Sequence, residues 1–273
     1  MPQEPVTQPN AWNRGGHFVA FWRQTFAVAE ADVRKLSHDP VELLTRMTQP
    51  ALWLLVFGQV FARAHVIPTG GISYLDFIAP GILAQSVLFI AIFYGISIIW
   101  ERDLGILQKF LVSPASRYAL VLGRALSAGV RGLSQLFIVY VLSFILGVHL
   151  RLDLGSAPIV LMAVMMGSAI FSTFSLIAAC VVKTRERFMG IGQVLTMPLF
   201  FTSNAIYPLS MMPSWLRSIS KMNPLTYQID AIRSAMIAGG QSIFGLGVDF
   251  AVMLAILVLL ISIATKLYPN IIN

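Results

Sequence analysis

Charge is what this sequence has least of. Only 11% of its 273 residues are Asp, Glu, Lys or Arg, less than half the roughly 25% of soluble globular domains. With 57% hydrophobic residues and a mean hydropathy of +0.77, the chain has too little polar surface to cover a core of its own size. That excludes a soluble enzyme, a disordered protein and a collagen-like fibre, and leaves an integral membrane protein. A single cysteine, Cys180, excludes any intrachain disulfide, and its place in an apolar run reads as a small buried hydrophobe. The four histidines, His17, His38, His65 and His149, are far apart and make no local metal-ligand pattern. A P-loop needs a Gly-Lys pair, and the residues preceding the five lysines are Arg34, Gln108, Val182, Ser220 and Thr265. The chain is therefore not expected to bind ATP in that way. G-x-S-x-G is missing too, so there is no nucleophile elbow.

What is present is a series of uncharged runs, at 47–62, 77–100, 132–148, 154–182, 188–216 and 250–265. Extended to turn and cap residues, they give six expected spans near 45–65, 75–99, 120–147, 157–182, 188–206 and 246–267. Placing the N-terminus inside puts fourteen of the nineteen Lys and Arg on the cytoplasmic side, which predicts an N-in, C-in topology. Arg124 and Arg131 are counted inside, as first-turn residues of span 3 that reach back to the interface. The net charge of +7 then reflects topology, and no nucleic-acid partner is expected.

The segments between spans carry further signals. Residues 1–16 are polar and Pro-rich and read as a flexible cytoplasmic tail. Residues 17–37 repeat apolar positions at Phe18, Trp22, Phe26, Ala29, Val33 and Leu36, with Arg23, Arg34 and Lys35 elsewhere on the helix. Such a stripe predicts an amphipathic helix lying on membrane lipid at the cytoplasmic interface. Asp39, Pro40 and Glu42 then restart the chain as a capped helix. The loop 101–117 holds a second short helical pattern, with Leu104, Leu107, Phe110 and Leu111 on one face, Glu101 and Asp103 near its start and Lys109 near its end. A loop that only turns the chain needs no such helix, so this one is expected to dock on a partner. Residues 205–240 are broken by Pro208 and Pro213, restart at Asn223-Pro224 and run helically to about Met236, with Asp230 and Arg233 close enough to pair. They are too apolar for a free outer loop and are expected to re-enter the membrane from outside.

These phrases resemble a known family. Glu101–Arg117 followed by Leu122-Gly123-Arg124, Phe77-Ile78-Ala79-Pro80-Gly81, and Asn223-Pro224-Leu225-Thr226-Tyr227 with Asp230 and Arg233 are similar to the permease subunit of type-2 ABC exporters, which move drugs, lipids and polysaccharides. The resemblance covers nearly the whole chain as one transmembrane domain. It implies an all-α integral protein of the bacterial cytoplasmic membrane, in which two permeases, identical or homologous, pair with two ATP-binding subunits. ATP and Mg would be held by those partners, with no cofactor or metal in this chain and no catalysis by it. Residues 101–112 would be the coupling helix, with Glu101, Arg102, Asp103, Gly105, Lys109 and Phe110 at the ATPase contact. Arg185, Glu186 and Arg187 would make a second contact or serve only as a topology anchor. Helix 17–37, with Trp22, Arg23, Phe26, Arg34 and Lys35, would be the connecting helix. The substrate path would run between the permeases, with Gln85, Phe89 and Tyr94 on span 2 and Thr196, Phe200 and Asn204 on span 5 as candidates. An uncharged, Phe-rich path would suit an amphipathic cargo. Two alternatives stay open: an ion-coupled secondary transporter, which would need ionisable groups in mid-membrane, and a non-catalytic membrane assembly subunit.

Overall fold

The computed structural model describes residues 40–64, 67–69, 71–105, 117–182 and 184–268, together with Arg23 and Glu30. Of the expected interfacial helix, Trp22, Phe26, Arg34 and Lys35 lie outside the described residues, and so does the tail 1–16.

The first helix begins at Pro40, where the sequence places the restart. It runs as Pro40–Leu52, passes through a π-helical stretch, Trp53–Gly58, and continues as Gln59–Ala64; the three together are α1. Pro50 removes an amide donor from the middle of this helix, and the wider turn that follows absorbs the irregularity. Then come α2 (Tyr74–Asp103), α3 (Arg117–Ile145), α4 (Ser156–Val181) and α5 (Arg185–Phe201). A short 3-10 turn at Leu209–Met211 leads into α6 (Ser214–Met222), α7 (Pro224–Met236) and α8 (Leu246–Leu267). No strand occurs among the described residues beyond the isolated bridge Leu150–Ile237.

Four of these helices are long and apolar enough to cross a membrane: α2, α3 from Tyr118, α4 and α8. The other two expected spans are helical but do not meet that standard. α5 has 17 residues and opens on Arg185, Glu186 and Arg187, and α1 is interrupted by its π-helical stretch.

α4 is the central post, packed against α2, α3, α7 and α8. Small residues at the contacts make this possible. A Cβ on Gly132 of α3 would lie 2.2 Å from Ser168 Oγ, and one on Gly95 of α2 would lie 2.3 Å from Ser175 Oγ, so the helices touch through glycine and serine. Ser175 Oγ also bonds the Ile92 carbonyl and accepts from the Gly95 amide, tying α4 to α2.

The 205–240 segment folds back on the bundle. Asn223 caps α7, its Oδ1 accepting from the Leu225 amide at 2.9 Å while its Nδ2 donates to the Leu199 carbonyl at 2.6 Å. The expected Asp230–Arg233 pair is not made directly. Asp230 instead accepts from the Ile243 and Phe244 amides at 2.7 and 3.1 Å, securing the entry to α8. Arg233 donates to the Asn204 and Phe77 carbonyls and lies 4.0 Å over the Phe77 ring. No hydrogen bond joins the two: Arg233 serves carbonyls, and Asp230 serves two amides and the Ser242 hydroxyl, where two chain segments end with polar groups to satisfy.

Candidate functional site

Two features stand out at the half of the bundle that holds the Arg102, Arg124 and Arg185 side chains, here called the basic end. The first is a charge clamp. α2 does not stop at the expected end of span 2 but continues to Asp103, so Glu101, Arg102 and Asp103 form its last turn rather than the start of a separate loop helix. The chain turns at Leu104 and at Gly105, whose φ of 69° is in the left-handed region that favours glycine. Carboxylates at a helix C-terminus are disfavoured by the helix dipole, and here each meets an arginine. Glu101 Oε2 accepts from Arg124 Nη2 of α3 at 2.5 Å, with both side chains nearly buried. Asp103 Oδ2 accepts from Arg185 Nη2 of α5 at 2.8 Å in a half-exposed setting. Arg185 also lies 3.5 Å over the Trp100 ring, and Arg102 donates to the Val182 carbonyl at 3.3 Å. The ends of α2, α3, α4 and α5 are thus joined into one unit.

Of the expected coupling residues, Glu101, Arg102, Asp103 and Arg185 come together here, Gly105 terminates the helix, and Glu186 is exposed beside them. Lys109 and Phe110 lie outside the described residues. Glu101 is turned inward onto Arg124, whereas Leu104 is 66% exposed.

The second feature is a cavity of about 540 Å³ between α1, α2 and α3. One wall is aromatic, with Phe89, Phe93, Tyr94 and Trp100 of α2; the facing wall carries Arg131 and Gln135 of α3. The Arg131 guanidinium lies 4.8 Å from the Tyr94 ring centroid. Arg131 is not a first-turn residue, as the sequence suggested. α3 starts at Arg117, so Arg131 sits about 21 Å along it at 1.5 Å per residue, near the middle of the helix.

The expected path residues divide accordingly. Phe89 and Tyr94 line the cavity. Gln85, Thr196, Phe200 and Asn204 are each no more than 1% exposed and so do not meet a passing molecule in this conformation. Thr196 Oγ1 donates to the Gly192 carbonyl at 2.6 Å, and Phe200 packs edge-on against Trp53 at 5.5 Å. On α5 the outward face is instead Val194, Met197 and Phe201. Arg131 and Gln135 were missed by the sequence reading. The available signal was that Arg131 and Gln135 are four apart on one helix face, but only the true start of α3 reveals their depth.

Comparison with known proteins gives the context. The sequence profile of the ABC-2 type transporter family matches residues 23–237. A transport permease of Cyanophora paradoxa, ycf38, is 32% identical over 217 residues, covering 78% of this chain and 74% of the relative. The daunorubicin resistance ABC transporter permease protein DrrB1 of Streptomyces coeruleorubidus is 26% identical over 236 residues, 85% of this chain and 81% of its own. The inner membrane transport permease YadH of Escherichia coli K12 is 23% identical over 235 residues, 84% and 82% of the two chains.

Proposed function

The chain belongs to the ABC-2 type transporter family, and on that premise we propose how its geometry serves transport. It is a multi-pass membrane protein and the permease subunit of an ABC exporter, working with an ATP-binding partner. α1 and α5 complete six crossings with both termini in the cytoplasm, and the basic end faces inward; the excess of Lys and Arg on that side supports this orientation. Residues 205–240 re-enter from outside. The membrane is the bacterial cytoplasmic one.

Two copies of the ATP-binding subunit hold ATP and Mg, and a second permease, identical or homologous, covers the outward face of α5. The chain holds no cofactor and catalyses no reaction of its own. ATP-driven closure of the partner pushes on the loop 101–117 and on Arg185–Arg187. The observation that carries this is the charge clamp. Because Glu101–Arg124, Asp103–Arg185 and the Arg102 bond to the Val182 carbonyl join four helix ends, a push on the loop moves α2, α3, α4 and α5 as one body. The path then opens outward beside α2, with Phe89 and Tyr94 among its lining residues. The cargo is amphipathic, a drug-like molecule, a lipid or a lipid-linked glycan, as the aromatic wall favours; a relative named for daunorubicin resistance fits the same class.

The experiment uses the chain co-purified with its ATP-binding partner. Asp103→Ala and Leu104→Asp are expected to abolish the stimulation of ATP hydrolysis by the permease while the complex stays assembled. Full stimulation and export in both variants would overturn the coupling role.

A further inference from the structure

We infer that the cavity between α1, α2 and α3 is a binding site for an amphipath with an anionic headgroup, held by Arg131 and Gln135. This rests on the exporter reading above and narrows its cargo or its bound lipid.

An arginine part-way along a membrane-crossing helix is costly unless something offsets it. Arg131 has the Tyr94 ring at 4.8 Å, yet no carboxylate stands within ion-pair distance of it among the described residues. Its Nε is buried without a hydrogen-bond partner. Gln135, one turn further along the same face and 1% exposed, has its Nε2 buried without a partner as well. Both unsatisfied atoms are N–H donors, both belong to residues lining one cavity, and no Asp or Glu lines it. Buried donors in native proteins almost always find an acceptor. The residues that carry these donors line the cavity, and a group with several acceptor oxygens and a negative charge, such as a phosphate, carboxylate or sulfate, complements the guanidinium there.

The rest of the cavity sets the remainder of the ligand. Phe89, Phe93 and Trp100 give an apolar wall that a bare inorganic anion would leave uncovered. At about 540 Å³ the space matches sites for drug-sized molecules, about 300–1,000 Å³, and exceeds what a headgroup alone fills. A cationic amphipath would bring its charge against Arg131 with no carboxylate to receive it. The occupant is therefore an acyl or ring body with one anionic end, drawn either from the bilayer or from solution.

Trp100 lines the cavity and reports on it. The permease with its ATP-binding partner is placed in phosphatidylcholine nanodiscs without nucleotide, and tryptophan quenching is read against a Trp100→Phe control. Dibromostearate is expected to half-saturate the Trp100 signal at a concentration about tenfold below that of the uncharged dibromostearamide. Arg131→Gln removes this preference and Arg131→Lys retains most of it. In a second arm, brominated phosphatidylglycerol is built into the discs. Arg131-dependent quenching there marks a bilayer lipid as occupant; Arg131-dependent quenching by dibromostearate alone marks a single-chain solute. Equal affinity of the wild-type complex for charged and uncharged probes, or an unchanged preference in Arg131→Gln, would overturn the site. The first comparison leaves Arg131 and Gln135 intact and needs only the Trp100→Phe control, so a folding defect in Arg131→Gln cannot mask it. No ATP turnover is involved, so failure here leaves the coupling role standing.

Discussion

Glu101 at the end of α2 and Arg124 near the start of α3 meet at 2.5 Å, and their side chains are only 11% and 6% exposed. Two charges so placed are costly to desolvate, and each is tolerable only because of the other. Removing one strands its partner. Glu101→Ala alone is expected to destabilise the chain by about 3–5 kcal/mol, and the double variant Glu101→Leu/Arg124→Leu by clearly less. Thermal melting in detergent, run as a double-mutant cycle, checks the order of the two.

Asp103 and Arg185 make the contrasting case. Their side chains are 39% and 32% exposed, and such pairs contribute about 0–1 kcal/mol. Asp103→Ala should leave the melting temperature nearly unchanged while abolishing the stimulation of ATP hydrolysis in the complex. A loss of stability equal to that of Glu101→Ala would show that the two pairs act alike.

The glycine contacts of α4 are testable by compensation. Gly132→Ala places a Cβ 2.2 Å from Ser168 Oγ, and overpacking of this kind costs about 1–3 kcal/mol. Ser168→Ala removes the clashing hydroxyl, which has no hydrogen-bond partner of its own. The double variant should recover most of the yield of folded protein lost in Gly132→Ala, as read by size-exclusion chromatography.

Asp230 should govern the entry to α8. Asp230→Ala takes away the acceptor of the Ile243 and Phe244 amides, and an unsatisfied buried donor costs about 1–3 kcal/mol. Hydrogen exchange of 242–244 is expected to accelerate, with the amides at the centre of α4 unaffected.

Much of this was legible in the residues. Uncharged runs located the helices, Pro40 marked the start of α1, and Asn223-Pro224 marked α7, because caps and prolines act locally and need no knowledge of the partner helix. Boundaries at the basic end were not legible. The charges of Glu101–Asp103 looked like the start of a surface loop, whereas α2 continues through them because Arg124 and Arg185 neutralise its last turn. The same pairing made Arg131 hard to place: once α3 is known to begin at Arg117, Arg131 moves from the interface to mid-helix. For Thr196 and Phe200 the missing information was rotational. Composition alone does not say which face of α5 packs on the bundle, and a helix with apolar residues on every side offers no moment to orient it.

The central claim is that energy enters at the end of the bundle where α2 stops. Cysteine cross-linking in the assembled complex tests it most directly, after Cys180, the one native cysteine, is replaced by Ala. Leu104→Cys at the basic end and Trp215→Cys on α6 at the opposite end are both exposed, at 66% and 64%. Leu104→Cys is predicted to cross-link to the ATP-binding subunit, with a yield that changes when ATP is added, and Trp215→Cys to give no such product. Cross-linking through Trp215→Cys with none through Leu104→Cys would contradict both the orientation and the coupling role.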